Sequence, residues 1–400
     1  MADKRKRKAV EQEDRPLSHE EMRRRRKKRT RLLMWKRLVL VVAVALTAWL
    51  VWSNWDTMAP DKLFARLQDL ISDASGTYPV DISGSNVQQL VRSQTYNVTL
   101  SDSYLTYYND KGGEVTRYPC TYSSASLRTA GKYVLVVEQG GKRLLLTTRS
   151  AQVKDLTLDQ TVLTAAVNSK GQMAVLTQGT QGYAVELTVY DKNGEVLYSR
   201  KRATLASDVT LSADGKTVAV LSVEAVGGVV NTSVEAFSLS STDTQAAFRY
   251  TATDTLLYRL NFLDNKHLTA VGESGAVLVP LDGKDTALYP ITGQQLLGYA
   301  VANNSVALAV RPMGDTHGGS VIVLDKSGKE TARVSFDGEF RQLSEKDSQY
   351  LLLTSNIAQV VKQNGAGRSA TVEADGQQAV LSGNRAIVLG LSAIQEYEME

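Results

Sequence analysis

Hydrophobic and polar positions form three successive patterns along this chain. The first is an uncharged stretch of 18 residues, Leu38 to Trp55, which as a helix would span about 27 Å of a bilayer. The second, between Asp61 and Ser72, places Leu, Phe and Ile residues at helical spacing and predicts a short amphipathic stalk. In the third, from Tyr78 to Glu400, runs of Val, Leu, Tyr and Thr alternate with Asp, Asn and Gly turns. This last pattern is typical of all-β structure.

The turns of the third pattern recur in two series. One series contains near-copies of a hairpin turn at 109–114, 190–195 and 324–329, in which Gly supplies the positive φ of a tight turn. Its weaker members fall near Arg149, Thr242, Asp282 and Asn364. The second series falls near Gln94, Gly131, Lys170, Asp214, Asn265, Asn304, Asp347 and Asn384. Neighbouring members of either series are 37 to 51 residues apart, so the two series advance together.

Repeats of about 40 residues with four short strands each are the sequence sign of a β-propeller. The second series has one more member than the first, so one outer strand is missing at the C-terminal end. Pairing the leftover strand 78–82 with the strand that begins at Ile394 would complete the last blade and remove an exposed sheet edge. We therefore predict an all-β, eight-bladed β-propeller, with seven blades as the alternative, preceded by a single transmembrane helix. The predicted boundaries are 1–37 for a basic tail, 38–55 for the span, 56–77 for the stalk and 78–400 for the propeller.

Charge predicts the orientation of the span. Residues 1–37 contain 16 Lys and Arg against 6 Asp and Glu, whereas the rest of the chain has 30 against 36. The positive-inside bias then predicts a single-pass plasma-membrane protein with a cytoplasmic N-terminus and an extracytoplasmic propeller. Interface-type aromatic residues lie in or beside the span, and these are Trp35, Trp49, Trp52 and Trp55. A cleaved signal peptide with a site at 43–45 is the competing interpretation, but the preceding basic region is too long for an ordinary signal.

The tail contains seven consecutive cations, which are Arg23, Arg24, Arg25, Arg26, Lys27, Lys28 and Arg29. They either only enforce the orientation or also contact anionic lipid headgroups. No aromatic residue is interleaved with them, so the run does not indicate nucleic-acid binding.

Chemistry-bearing residues are scarce beyond the span. Cys120 is the only cysteine, so a disulfide within the chain is excluded, and a small core residue is the favoured interpretation. His267 lies at a predicted hairpin and His317 in a Gly-rich loop, and the turn aspartates lack the full ligand series of a calcium loop. We expect no catalytic residues, no metal and no cofactor.

The faces of the ring are expected to differ. The stalk should reach the propeller on the face that carries both turn series, and this face should look toward the bilayer. The opposite face carries longer Gly-containing loops at 177–183, 224–232 and 311–320, and long loops of this kind are where partners bind. The candidate partner-binding residues are Gly179, Gly182, Tyr183, Glu224, Arg311, Asp315 and His317.

In layout the chain resembles quinoprotein-like and tryptophan-aspartate-repeat-like propellers, and more closely uncharacterised bacterial envelope proteins with a basic tail, one span and an external propeller. This chain differs from these propeller families in the placement of its tryptophans. All four lie at the predicted membrane segment, and no blade carries a Trp-Asp dipeptide. The resemblance to quinoproteins would imply a tryptophan beneath a quinone and often paired cysteines above it, and neither is available here.

Three functions are compatible with these features. The leading hypothesis is a noncatalytic, membrane-anchored binding module of the cell envelope, which presents a propeller face to a protein or a wall polymer. The second is an envelope assembly, scaffold or chaperone factor. The third is an enzyme acting on envelope glycans or peptides with carboxylates that the sequence does not pair.

Overall fold

The computed structural model describes residues 74–240 and 246–400, and the regular elements within these ranges are β-strands. The predicted tail, span and stalk lie outside the described residues. Within the described part of the chain, no helix has the length and apolar character needed to cross a membrane.

The strands form eight antiparallel sheets of four strands each. The first four sheets, blades 1 to 4, contain strands β2 to β17, as follows: blade 1, β2 (Val87–Ser93), β3 (Tyr96–Ser101), β4 (Tyr104–Tyr108) and β5 (Glu114–Pro119); blade 2, β6 (Ala125–Ala130), β7 (Tyr133–Glu138), β8 (Arg143–Thr148) and β9 (Ala151–Thr157); blade 3, β10 (Val162–Val167), β11 (Met173–Gln178), β12 (Val185–Tyr190) and β13 (Val196–Arg202); blade 4, β14 (Leu205–Leu211), β15 (Thr217–Val226), β16 (Val229–Ser238) and β17 (Phe248–Thr253).

Blades 5 to 8 use the remaining strands, as follows: blade 5, β18 (Leu257–Asp264), β19 (His267–Gly272), β20 (Gly275–Pro280) and β21 (Ala287–Pro290); blade 6, β22 (Gln294–Ala302), β23 (Ser305–Pro312), β24 (Gly319–Asp325) and β25 (Glu330–Phe336); blade 7, β26 (Phe340–Lys346), β27 (Gln349–Thr354), β28 (Ile357–Lys362) and β29 (Gly365–Thr371); blade 8, β30 (Gln378–Ser382), β31 (Arg385–Leu389), β32 (Ala393–Glu398) and, from the other end of the domain, β1 (Val80–Asp81).

The blades form a closed ring. The first strand of each blade contacts the first strand of the next, and β30 contacts β2 to complete the circle. These first strands therefore surround a central channel, and the fourth strands lie at the rim. The eight-bladed propeller expected from the repeats is confirmed, and the seven-bladed alternative is wrong.

The ring closes through the two ends of the domain. Strand β1 pairs with β32, with Val80 opposite Ile394, so an outer strand from the N-terminal side completes blade 8. A hydrogen-bonded latch lies beside this pair. Arg92 donates to Asn97 at 2.6 Å and to Asp110 at 2.6 Å, Asn97 donates to the Tyr78 hydroxyl at 2.7 Å, and Ser382 of blade 8 donates to Asp110 at 2.9 Å. Burial raises the pKa of Tyr78 to about 12, so its hydroxyl stays protonated within this latch.

The hydrophobic core is divided among the blade interfaces. Eight clusters of buried side chains occur, one between each pair of neighbouring blades. Both faces of every sheet are covered, so the middle strands are buried along their whole length, as in Tyr133–Glu138. This explains why their sequences are continuous apolar runs and do not alternate.

Both turn series lie on one face of the ring. We call it the proximal face, because the chain reaches β1 there: the Ala74 carbonyl accepts a hydrogen bond of 2.9 Å from Asn109 in the β4–β5 turn. A Cβ on Gly113 of this turn would lie 2.4 Å from the same carbonyl, so the close approach requires glycine. The opposite, distal face carries the connections between second and third strands and those between blades.

Candidate functional site

The predicted partner loops are on the distal face. Gly179, Gly182 and Tyr183 lie in the β11–β12 connection, where Gly179 N donates to Ala184 O at 3.0 Å. Tyr183 is exposed, and the Lys201 ammonium lies 6.0 Å from the centre of its ring. The lipid-contact residues Arg23 to Arg29 and the four tryptophans lie outside the described residues.

The segment 224–232, expected to be a loop, is largely strand. Glu224 belongs to β15, which continues to Val226, and β16 starts at Val229, so only Gly227 and Gly228 turn the chain. Both glycines have positive φ, 61° and 85°, which is the conformation that a two-residue hairpin turn requires. The valines around these glycines favour extended backbone, which explains why the pairing continues to the turn.

The β23–β24 connection contains Asp315 and His317, both exposed. Arg311 lies at the end of β23 and holds this connection in place, since it donates to Gly318 O at 3.0 Å and to Thr316 O at 2.9 Å. The geometry of Arg311 is therefore that of a loop brace, while Asp315 and His317 project beyond it.

The distal face carries most of the exposed apolar side chains. Of the fourteen large hydrophobic side chains exposed within the described residues, eleven lie in distal connections or within two residues of them. These are Tyr104, Leu163, Tyr183, Leu205, Val226, Val229, Val230, Leu256, Met313, Ile357 and Leu391. Val196, Leu197 and Leu288 are the three that lie elsewhere. Where such side chains form a contiguous patch, the patch is characteristic of a binding surface.

The densest part of this population surrounds the β15–β16 hairpin. Strand β14 pairs with β15 only as far as Val223, and β17 pairs with β16 only as far as Asn231, so the hairpin tip extends beyond both neighbours. Leu205 lies opposite Val223, and Thr255 N donates to Val230 O at 3.3 Å, which places Leu256 beside the tip. We call Leu205, Val226, Val229, Val230 and Leu256 the hairpin patch.

Polar side chains of the first strands form a separate feature around the channel. At one equivalent position in the first strands, long polar side chains reach the backbone of the neighbouring blade. Gln89 accepts from Leu127 N at 2.9 Å, Asp208 from Leu260 N at 2.9 Å, Gln342 from Ala379 N at 2.6 Å and Gln378 from Leu90 N at 2.8 Å. These hydrogen bonds join blade 1 to 2, 4 to 5, 7 to 8 and 8 to 1.

The same ring of first strands contains a group of charged and polar side chains. We call it the channel cluster, and it comprises Arg128, Asp208, Arg259, Asn261 and Tyr299, from blades 2, 4, 5 and 6. Asp208 is buried, and the other four are half-buried. Burial lowers the pKa of Arg128 despite the opposing effect of Asp208. Burial raises the pKa of Asp208, against the hydrogen bond from Leu260 and the charges of Arg259 and Arg128. The pKa of Tyr299 is likewise raised by burial, and its hydroxyl shares a hydrogen bond with Asn261.

Cys120 and His267 have structural surroundings. Cys120 is buried, and burial raises the pKa of its thiol to about 11, which makes it a poor nucleophile. The His267 Nδ1 atom lies 2.8 Å from each carboxylate oxygen of Asp264, within a hairpin turn. Burial acts to raise the pKa of Asp264 but is outweighed by hydrogen bonds from His267 and Lys266, so the pKa is lowered. No group of three or more His, Cys, Asp and Glu in the described ranges has the geometry of a metal site.

Comparison with solved structures finds propellers of low similarity. The WD40 domain of Neurospora crassa Pan2 matches with a TM-score of 0.45 and 10% identity, covering 82% of this chain and 93% of that domain. Apo AztD from Citrobacter koseri matches with a TM-score of 0.48 and 11% identity, covering 72% and 86%. Kluyveromyces lactis Hsv2 matches with a TM-score of 0.46 and 8% identity, covering 72% and 99%.

These similarities are too weak to carry any inference about what this chain binds. A search of the curated proteins finds no match to the sequence. A family profile does match, over residues 72–397, a range that begins before β1 and ends within β32. The chain therefore belongs to the Family of unknown function (DUF5711).

Proposed function

We propose that this protein is a noncatalytic, membrane-anchored binding module of the cell envelope, whose distal face receives a partner protein. The observation that carries the proposal is the concentration of exposed apolar side chains on that face, eleven of fourteen in the described residues. Burial of Val, Leu and Met side chains against a partner releases about 25 cal/mol for each Å² of apolar surface.

The chemistry of the face favours a protein over a wall polymer. Its hairpin patch consists of aliphatic side chains, which match the apolar core of a protein interface. Beyond Val223, the β15 edge of the hairpin tip has no pairing strand among the described residues, so an extended segment of a partner can add there as a further strand.

The path of the chain supports the orientation. Residues 74–77 pack on the β4–β5 turn of the proximal face, so the chain enters the propeller at that face. The distal face would then point away from the bilayer that holds the anchor. The basic tail before the span supports a cytoplasmic N-terminus.

Site-specific photo-cross-linking in intact cells tests the binding face. A photoreactive residue is placed at Val226 or Met313 on the distal face, and at Lys111 or Asn193, which are exposed in proximal turns, as controls. We expect the same protein adduct from both distal positions and none from the proximal ones. Lipid adducts from the distal positions, or the same adduct from the proximal turns, would contradict the proposal.

Protease protection tests the anchor. Protease added outside spheroplasts should remove the propeller and leave a membrane-bound fragment that contains residues 1–37. A full-length chain that resists external protease but is cleaved after lysis would place the propeller inside the cell and overturn the proposed topology.

A further inference from the structure

The channel cluster joins residues from opposite sides of the ring. Arg128 belongs to blade 2, whereas Arg259 and Tyr299 belong to blades 5 and 6. Blades 2 and 6 are diametrically opposed in a ring of eight, yet Arg128 interacts electrostatically with Tyr299 as well as with Arg259 and Asp208. Blades 2 and 6 face each other only across the central channel, so the interaction of Arg128 with Tyr299 acts across it.

The positive charge of the channel cluster is not neutralised by close ion pairs. In the described part of the chain, neither Arg128 nor Arg259 has a carboxylate within 4.0 Å, whereas buried arginines elsewhere, such as Arg92 and Arg202, are paired. Arg128 donates to its neighbour Leu127 O at 3.1 Å, and Asp208 accepts from Leu260 N. Arg128 interacts electrostatically with the carboxylate of Asp208 and the guanidinium of Arg259. The channel cluster therefore contains two cations and one anion.

The surroundings of the two guanidinium groups suit a ligand. Both arginines and Tyr299 are half-buried, so part of each residue remains accessible to solvent. The Asn261 amide and the Tyr299 hydroxyl add neutral hydrogen-bonding groups beside them. Positive groups enclosed by low-dielectric walls raise the local concentration of anions, and guanidinium pairs oxyanions with two parallel hydrogen bonds.

We propose that the channel cluster is a binding site for a small oxyanion, a phosphate or carboxylate ligand, held between Arg128 of blade 2 and Arg259 of blade 5. Tyr299 and Asn261 hydrogen-bond the ligand, and Asp208 limits the affinity by repulsion. This site is separate from the distal face, so the failure of the oxyanion proposal would not contradict the proposed partner binding, and the reverse also holds.

Calorimetric titration of the full chain in detergent micelles tests the site. The probes are inorganic phosphate and citrate, each added at constant ionic strength with chloride as the balancing salt. We expect saturable binding of at least one probe with a Kd below roughly 10 mM. Arg128→Gln and Arg259→Gln should each weaken that binding by roughly tenfold to a hundredfold, because each removes a charge-assisted hydrogen-bonding group.

Two further variants separate this site from nonspecific charge. Asp208→Asn should tighten binding by about threefold to tenfold, since it removes the repelling carboxylate. Arg117→Gln, at an exposed rim arginine, should leave binding unchanged. Absence of saturable binding by either probe would overturn the proposal. Binding that survives both Arg128→Gln and Arg259→Gln, or that weakens equally in Arg117→Gln, would also overturn it.

Discussion

At one position in the first strand of each blade, a single residue determines whether a side-chain hydrogen bond joins that blade to the next. Glutamine or aspartate at this position bridges to the next blade, as Gln89 and Asp208 do. Blade 3 has Thr164 instead, which is 3% exposed, and its hydroxyl oxygen is buried without a hydrogen-bond partner. The side chain is too short to span the interface. Burial of the hydroxyl therefore costs desolvation free energy that no hydrogen bond offsets.

Thr164→Val should therefore stabilise the protein by about 1 kcal/mol, because valine has the same shape and lacks the unpaired hydroxyl. Thr147→Val is the matched control, since the buried Thr147 hydroxyl bonds the Tyr107 hydroxyl at 2.8 Å. The control should lose about 1 to 2 kcal/mol. Urea unfolding of both variants measures the difference, and equal destabilisation would contradict this account.

The turn caps are a second feature at this scale. Asp191 Oδ1 accepts from Asn193 N and Glu195 N, both at 2.8 Å, and Asp325 makes the equivalent pair of bonds with Ser327 N and Lys329 N. Burial acts to raise the pKa of each carboxyl, but these hydrogen bonds outweigh it and the pKa is lowered. A lowered folded pKa gives stability that is present above the ordinary value near 3.8 and is lost as pH falls through the folded value.

Asp191→Asn with Asp325→Asn should remove part of this acid sensitivity. Asn109 and Asn168 already cap equivalent turns with the same two bonds, so the geometry accepts asparagine. The free energy of unfolding should fall less between pH 7 and about pH 3 in the double variant than in the unmodified chain. An unchanged pH dependence would show that the caps do not contribute to acid stability.

At the scale of elements, the closing blade is the point where the ring depends on few residues. Strand β1 has only two residues, so its pairing with β32 needs support from the side-chain latch around Arg92. The Arg92 side chain is 6% exposed, and its removal leaves Asn97 and Asp110 without their shared donor.

Arg92→Ala should cost about 2 kcal/mol, because it leaves the side-chain oxygen of the buried Asn97 without its donor. Arg117→Ala, which breaks an exposed ion pair with Glu114, should cost less than about 1 kcal/mol. Thermal unfolding followed by circular dichroism compares the two variants. A loss no larger for Arg92→Ala than for Arg117→Ala would show that the latch does not stabilise the closure.

The repeated turns explain why most elements could be predicted. Asx residues followed by Gly mark hairpins through local hydrogen bonds and positive φ, so the turns near Asp191 and Asp325 are readable without tertiary information. The 224–232 hairpin was misread as a loop because its two glycines suggested irregular backbone. Its neighbours β14 and β17 stop earlier, and only the fold shows that the tip stands free.

At the scale of the whole molecule, the ring brings together residues that no local pattern connects. Arg128, Asp208, Arg259 and Tyr299 lie on four separate first strands, and each one alone looks like an ordinary polar residue of a strand. The closure between Val80 and Ile394 could be anticipated because the strand count was one short at one end. The channel cluster could not be anticipated in this way. The register of every blade decides which side chains of the first strands face the channel.

The difference between the two faces of the propeller can also be seen only in the complete ring. Eleven exposed hydrophobic residues are scattered over 288 positions, from Tyr104 to Leu391, and the topology places them on the distal face. The chain reaches the ring at the opposite side, beside Asn109.

The most direct test of the central claim is the affinity of the cross-linked partner for two matched variants of the full chain. One variant carries V226S, V229S and V230S in the hairpin patch, and the other carries V196S and L197S, which are exposed but not distal. We predict that the hairpin variant weakens the Kd by roughly tenfold or more, because it removes apolar anchors from the interface, while the second variant binds like the unmodified chain. Unchanged affinity in the hairpin variant, with a loss in the V196S and L197S variant, would contradict the assignment of the distal face.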